Sequence, residues 1–257
     1  MPQQIKIIIA CHRDRPVPDA PCYLPVQVGT ALRAEAIPGF TPDDTGDNIS
    51  YKNENYCELT ALYWAWKNLD ADVIGLVHYR RYFLGDRLSK RIAEEADFRK
   101  ALEKAPVILP VKRRYWIETI YSQYIHAHHE QDLSVTRAVI AQRCPEYLGA
   151  YDRKMGRRAG HAFNMLVMRR DLFDAYCAWL FSVLFEVEKR LDISSYDAYN
   201  RRVFGFIAER LLDVWIWTNR VPYTEMPVLV TESQHWLKKG TAFLWRKITY
   251  RVRRHGR

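Results

Sequence analysis

The sequence predicts an α/β fold, a mixed sheet flanked by helices with a helical C-terminal half, on three observations. Ile5 to Cys11 (IKIIIAC) is a run of apolar residues of strand length that stops at His12. Ala71 to Phe83 (ADVIGLVHYRRYF) is a second apolar run, ending in the cationic, ring-bearing cluster His78-Tyr79-Arg80-Arg81. Between and after them, segments with helical spacing alternate with further short apolar runs.

Taken in order, the strand at Ile5–Cys11 feeds a Pro-rich connection from Arg15 to Pro25, and residues 38–55 form a polar loop rich in Asp, Asn, Gly and Ser. A polar loop of that length inside a compact domain is usually functional or mobile. Tyr56 to Leu69 places Leu59, Leu62, Tyr63 and Trp66 on one helical face, with Asn53 or Asn55 as N-cap. The strand at Val73–Val77 follows. Arg87 to Lys104 then reads as a charged surface helix and Pro106 to Val111 as a short strand. The basic, Tyr- and His-rich stretch from Lys112 to Gly160 predicts helices and loops beside the sheet. Phe163 to Met168 (FNMLVM) reads as a strand, Asp171 to Leu191 as a long core helix, and Tyr199 to Trp217 as another.

Composition narrows the function classes. Hydrophobic residues make up 48% and aromatics 13%, with 8 Trp and 16 Tyr, which excludes an unfolded chain. At 257 residues the chain fits one large domain, read here as residues 1–240, with a basic amphipathic tail at 241–257. Six cations and no acid lie between Trp245 and Arg257, so they account for most of the formal charge of +9. Interleaved with Phe243, Leu244, Trp245, Ile248, Tyr250 and Val252, they predict contact with an anionic membrane surface. No nucleic-acid motif accompanies them, and no nucleic-acid partner is expected. Five dispersed cysteines without a CxxC pair predict reduced thiols in the cytoplasm. No signal peptide or spanning helix is read, so the expected location is cytoplasmic, peripheral to the inner face of the cell membrane.

In an open α/β sheet, ligands lie beyond the carboxyl ends of the strands, and the chemistry is sought there. His12 and Arg13 follow the first strand, with a solvated strand-end pair as their alternative, and Tyr79 and Arg80 follow the second, where Arg80 and Arg81 have a plain surface strand end as theirs. If the ligand is the diphosphate of a nucleotide-sugar, His78 and Arg80 are the candidate contacts to it, since Arg forks onto phosphate oxygens. Arg81 is the weaker candidate, since strand alternation turns it away from Arg80. In the loop, Asp47 and Asn48 together offer donors and acceptors for hydroxyl groups, or form a plain turn. Glu58 begins a helix, where the dipole stabilises a carboxylate in any case. For a general base, Glu209 and Asp197 are the candidates. Glu209 lies in an apolar helix and has a structural pair with Arg210 or Arg202 as its alternative, while Asp197 has an N-cap role. His161, just before the FNMLVM strand, is a third catalytic candidate or a packed histidine. His126, His128, His129 and Glu130 lack a second ligand cluster, and no metal site is predicted.

The segments YCELTALYWAWKN (Tyr56–Asn68), IGLVHYRRYF (Ile74–Phe83), Gly46-Asp47-Asn48-Ile49-Ser50, Asn164-Met165 and GFIAERLL (Gly205–Leu212) together resemble a bacterial family of capsular or exopolysaccharide biosynthesis proteins, a domain of unknown function that includes galactofuranosyltransferases. The resemblance runs from Ile5 to about Thr231. It implies a glycosyltransferase of A-type or A-like fold, a hexosyltransferase taking a UDP-sugar such as UDP-galactofuranose. The implied acceptor is a growing or lipid-linked cell-surface polysaccharide (capsule, exopolysaccharide or O-antigen), with Asn164 and Arg202 as acceptor contacts. A-type enzymes usually end a central strand with Asp-x-Asp, which holds a divalent ion on the donor diphosphate. Here that place holds His78-Tyr79-Arg80, so a divalent metal is possible but not expected. A non-catalytic nucleotide-sugar or glycan-binding subunit of an assembly complex is the alternative function.

Overall fold

The computed structural model describes residues 3–231. The predicted membrane-contacting tail at 241–257 lies outside the described residues. The strands are β1 (Ile5–Cys11), β2 (Tyr23–Gln27), β3 (Thr41–Pro42), β4 (Val73–His78), β5 (Arg81–Asp86), β6 (Arg91–Ile92), β7 (Val107–Pro110), β8 (Arg113–Arg114), β9 (Ala159–Gly160), β10 (Leu166–Arg169), β11 (Thr224–Met226) and β12 (Val228–Val230). The helices are α1 (Asn53–Tyr56), α2 (Leu59–Asn68), α3 (Glu95–Leu102), α4 (Ile120–Ile125), α5 (Glu130–Arg143), α6 (Leu148–Met155), α7 (Arg170–Arg190) and α8 (Val203–Thr218).

The main sheet runs β11-β7-β10-β4-β1-β2-β3, and β5 branches from the carboxyl end of β4, pairing in turn with β6 and β12. Around β1 the pairing is parallel, to β2 and to β4, whereas β10 is antiparallel to both β4 and β7. The sheet is therefore mixed, as expected. Both its faces are covered, and the period of two sorts the side chains: Ile8 and Ala10 of β1 join the helical core with Ile74 and Leu76 of β4. Ile7, Ile9 and Cys11 face the other side with Val73 and Val77. Fully buried strands need no alternation in sequence, which is why IKIIIAC reads as a continuous apolar run.

Four boundaries differ from the sequence reading, each for a local reason. The helix expected from Tyr56 starts at Leu59, because Cys57 adopts φ 52° and separates α1 from α2. Asn53 is accordingly not a cap; its amide donates to the Cys57 carbonyl and to Thr60 across that break. The helix expected over Arg87–Lys104 is confined to α3. Asp86 accepts from the Leu88 and Ser89 amides and turns the chain, and a reciprocal capping box between Glu94 and Asp97 starts the helix. The FNMLVM strand shortens to Leu166–Arg169 because Phe163 and Asn164 hold φ of 75° and 54°, outside the extended region. The last helix begins at Val203, after a 3-10 turn over Asn200–Arg202.

Asp213, wholly buried on α8, is the centre of a charged cluster. Its carboxylate pairs with Lys154 of α6 and with Nδ1 of His161, and it accepts from the His161 backbone amide at 3.1 Å. His161 Nε2 reaches on to Glu225 of β11 at 3.1 Å. Burial alone raises this carboxyl, but the His161 hydrogen bond and the Lys154 charge overcome it and hold Asp213 well below the usual carboxylate range. A depressed folded pKa contributes stability that is present above the unfolded value near 4 and is lost as pH falls below it. Asp213→Ala leaves Lys154 buried without its counter-charge and is expected to cost about 3–5 kcal/mol in urea denaturation at neutral pH. The stability difference from the wild type should narrow as the pH falls below about 4.

Candidate active site

The carboxyl ends of β1 and β4 open onto a cavity of about 1050 Å³. This is where an α/β sheet holds ligands, and seven arginines and three glutamates line it among the described residues. Its cationic wall is built by a reversal of the chain. β4 ends at His78, Tyr79 and Arg80 form a two-residue turn, and β5 begins at Arg81, paired antiparallel with His78. Strand alternation stops at that turn. Arg81 therefore faces the same cavity as Arg80, which overturns the expectation that it points away.

The turn is held from the β10 side. His78 Nε2 contacts the Phe163 carbonyl, and the Arg81 guanidinium lies 4.4 Å from the Phe163 ring centroid. Burial lowers the Arg81 pKa, against the opposing pull of Glu209. Its Nε is buried and has no hydrogen-bond partner among the described residues; the same is true of Asn164 Oδ1. The left-handed backbone at Phe163 and Asn164 points the Asn164 amide across the sheet end, where it donates to Glu58 at 2.7 Å and to the Gly205 carbonyl at 3.0 Å. Asn164 thus positions Glu58 and does not itself line the cavity.

The opposite wall comes from α8 and the turn before it. Arg202 donates from Nε to Cys57 Sγ at 3.2 Å. Burial pushes the Cys57 thiol up to about 11, which leaves it a neutral acceptor there. Arg210 donates to Glu209 at 2.9 Å and to Gln123 at 3.2 Å, so Glu209 has the neighbouring cation foreseen for it. Glu209 nonetheless lines the cavity, and its charge acts on Arg81. Phe206, one turn earlier, packs its ring against that of His128 at a tilt, with the centroids 4.2 Å apart.

Of the predicted residues, the structure brings His12, Glu58, His78, Tyr79, Arg80, Arg202 and Glu209 to this cavity. It does not bring Arg13, which is exposed beyond the rim. Asp47 and Asn48 are also elsewhere: Asp47 accepts from Tyr63 at 3.1 Å, and the Asn48 amide closes its own loop onto the Asp44 and Gly46 carbonyls. Asp197 is solvent-exposed and accepts from the Asn200 amide at 2.8 Å, the turn-capping role that was its alternative. His161 is sealed in the Asp213 cluster, both ring nitrogens engaged, and is a packed histidine. Sequence reasoning missed Arg33, Arg113 and Arg201 and named Arg210 only as a structural partner of Glu209. Only Arg210, i+1 from Glu209, carried a signal. The others reach the cavity by tertiary folding.

Among the described residues, no three His, Cys, Asp or Glu side chains are grouped as metal ligands. The glutamates stand among arginines, and at the end of β4 the donor set is imidazole, phenol and guanidinium. This set does not fit the Asp-x-Asp ion of A-type enzymes. It fits a polyanion, whose oxygens accept from Arg.

An α/β sheet whose strand ends open onto a cleft of arginines and glutamates is here the A-like fold of a glycosyltransferase structure. That structure, titled as the apo form of the bifunctional glycosyltransferase WbbM, has a TM-score of 0.82 with this protein at 30% identity. The match covers 90% of this chain and 46% of that one, so this chain spans about half the length of the protein it resembles. No curated protein matches it. Over residues 6–220 the chain matches the family described as domain of unknown function DUF4422, and it belongs to that family.

The cationic field is readable through His12. Burial, then the charges of Arg13, Arg80, Arg33 and Arg202, push its pKa down to about 4. Inorganic pyrophosphate in the cavity adds negative charge and opposes the arginines. The NMR titration midpoint of His12 is expected near 4 in the free protein and higher with pyrophosphate bound. By linkage, pyrophosphate affinity should rise as pH falls toward that midpoint. A midpoint near 6.5 that pyrophosphate does not move would show that the arginine field does not reach His12.

Proposed function

We propose that this protein is a glycosyltransferase that moves a hexose, galactofuranose in the favoured case, from a UDP-sugar to a growing or lipid-linked cell-surface polysaccharide. The reading places it in the cytoplasm, at the inner face of the cell membrane. It is carried by one observation: the arginine cluster at the end of β4 shares a single cavity with Glu58 and Glu209. The 30% identity to a bifunctional glycosyltransferase of the same fold supports it.

In this reading the donor diphosphate lies against Arg80 and Arg81, with His12 and Tyr79 beside it. As the bond from the anomeric carbon to the diphosphate oxygen breaks, negative charge grows on the leaving UDP. The guanidinium groups, already fixed in place, stabilise that charge without reorganising. Glu209 takes the proton of the acceptor hydroxyl while that oxygen forms its bond to the anomeric carbon. Glu58, held by Asn164, contacts sugar hydroxyls, and Arg202 lies on the acceptor side. Cationic side chains thereby do the work of the divalent ion, and transfer is independent of metal.

Purified protein supplied with UDP-sugars and a lipid-mimic galactoside should release UDP at a rate EDTA does not change. Glu209→Gln is expected to lower kcat by about 10²–10⁴-fold, the range for loss of a general base. Arg80→Ala should lower it by about 10²–10³-fold, with the fold intact by circular dichroism. Donor binding by calorimetry without UDP release would point instead to a binding subunit. Absence of any donor binding would sink both readings.

A further inference from the structure

We propose that the β8–β9 ribbon and the turn that follows β8 form a contact surface for bilayers containing anionic lipids. β8 pairs antiparallel with β9, Arg113 opposite Gly160 and Arg114 opposite Ala159. The chain then turns through Tyr115, Trp116 and Ile117. Trp116 is 78% exposed and Ile117 60%. Two large apolar side chains side by side on a turn are unusual on a protein surface that faces only water.

Their exposure is built into the backbone. The Tyr115 amide donates to the Arg158 carbonyl at 2.8 Å, the Ile117 amide to the Tyr115 carbonyl at 2.7 Å, and the Ile120 amide to the Arg157 carbonyl at 2.7 Å. Glu118, next in the chain, is buried and paired with His126 Nδ1 at 2.6 Å. Between these anchors Trp116 holds φ 57°, a left-handed conformation that a side-chain-bearing residue adopts only when its surroundings impose it. The fold therefore spends conformational strain to present an indole and a sec-butyl group outward.

Cations surround that tip. Arg114, Arg157 and Arg158 are exposed, and none of them is ion-paired among the described residues. Beside them a second cleft, of about 500 Å³, is lined by Lys112, Arg153, Arg157, Arg220, Trp217 and Tyr223. Arg153 lies 4.8 Å from the Trp217 ring centroid there. An apolar tip with an indole at the headgroup level, flanked by arginines that meet lipid phosphates, is the pattern of an interfacial membrane contact. Stacking on a glycan would explain Trp116, but neither Ile117 nor the arginines. Arg113 and Tyr115 of the same ribbon line the main cavity, so a bilayer seated on this surface lies at the rim of the site. Delivery of a lipid-linked acceptor there rests on the proposed function; the surface itself does not.

The test is sedimentation of the full chain, tail included, with vesicles of equimolar phosphatidylcholine and phosphatidylglycerol or of phosphatidylcholine alone. The wild type should bind the anionic vesicles and fall off with added salt. Trp116→Ala/Ile117→Ser and Arg114→Glu/Arg158→Glu should each weaken binding by about tenfold or more with an unchanged melting temperature. The tail is common to all three proteins, so its own affinity cancels. Equal binding by wild type and both variants overturns the proposal, as does equal binding to neutral vesicles. A dimer that Trp116→Ala dissolves overturns it in favour of a self-association face. A raised KM for a water-soluble glycan, with vesicle binding unchanged, overturns it in favour of glycan stacking.

Discussion

One buried carboxylate sets the geometry on which the site depends. Asp213 on α8 has no access to solvent, and it draws Lys154 of α6 and His161, at the end of β9, onto the same point. A charge in that environment tolerates no slippage, because any displacement leaves an unpaired ion away from water. Gly160 is part of the same constraint: a Cβ there would meet the Lys154 ammonium group. With α8 pinned in rotation and in depth, Glu209, one turn before Asp213, is carried to the cavity wall together with Arg210. Through His161 the cluster also reaches Glu225, so the helical half and the sheet edge at β11 are tied by the same charges.

The cavity's other wall rests on backbone conformations that ordinary residues take up at a cost. Cys57, Phe163 and Asn164 all sit at positive φ around the strand ends. The first separates two helices so that Glu58 starts the second; the other two turn a carbonyl toward His78 and an amide toward Glu58. Arg81 Nε and Asn164 Oδ1, which have no hydrogen-bond partner among the described residues, belong to this same patch. Unfilled hydrogen-bonding capacity and local strain concentrated at one end of the sheet are what a pre-organised binding site requires, since the cost of ordering is met during folding and not on ligand arrival.

The ribbon that rims the cavity joins the site to the proposed bilayer-contact surface by the same logic of strain. Trp116 is held outward by backbone bonds on both sides, while Arg113 and Tyr115, immediately before it, turn inward. The short β8 strand thus serves two faces at once, which its period of two permits.

Much of the fold was legible because burial on both faces leaves an unambiguous mark. β1, β4 and α7 follow directly from apolar runs and helical spacing, and His12, His78, Tyr79 and Arg80 could be placed at the sheet end because strand polarity dictates where strands finish. The failures share a physical cause. Arg81 was assigned by alternation, which presumes that the strand continues, whereas the chain reverses after His78. Asp47 and Asn48 were read as ligand contacts and Asp197 as a general base from residue type and local position, and side-chain oxygens near turns are most often taken by the nearest backbone or by a neighbouring helix. His161 was read from its place before a strand, with no means of seeing Asp213, distant in sequence, closing over it. Local chemistry and period, which the chain carries in itself, determined the elements and the strand ends that bear charge. The choice of which charges converge was decided by α8 and β10 closing over those ends, because long-range packing is a property of surfaces in contact and not of neighbours in sequence.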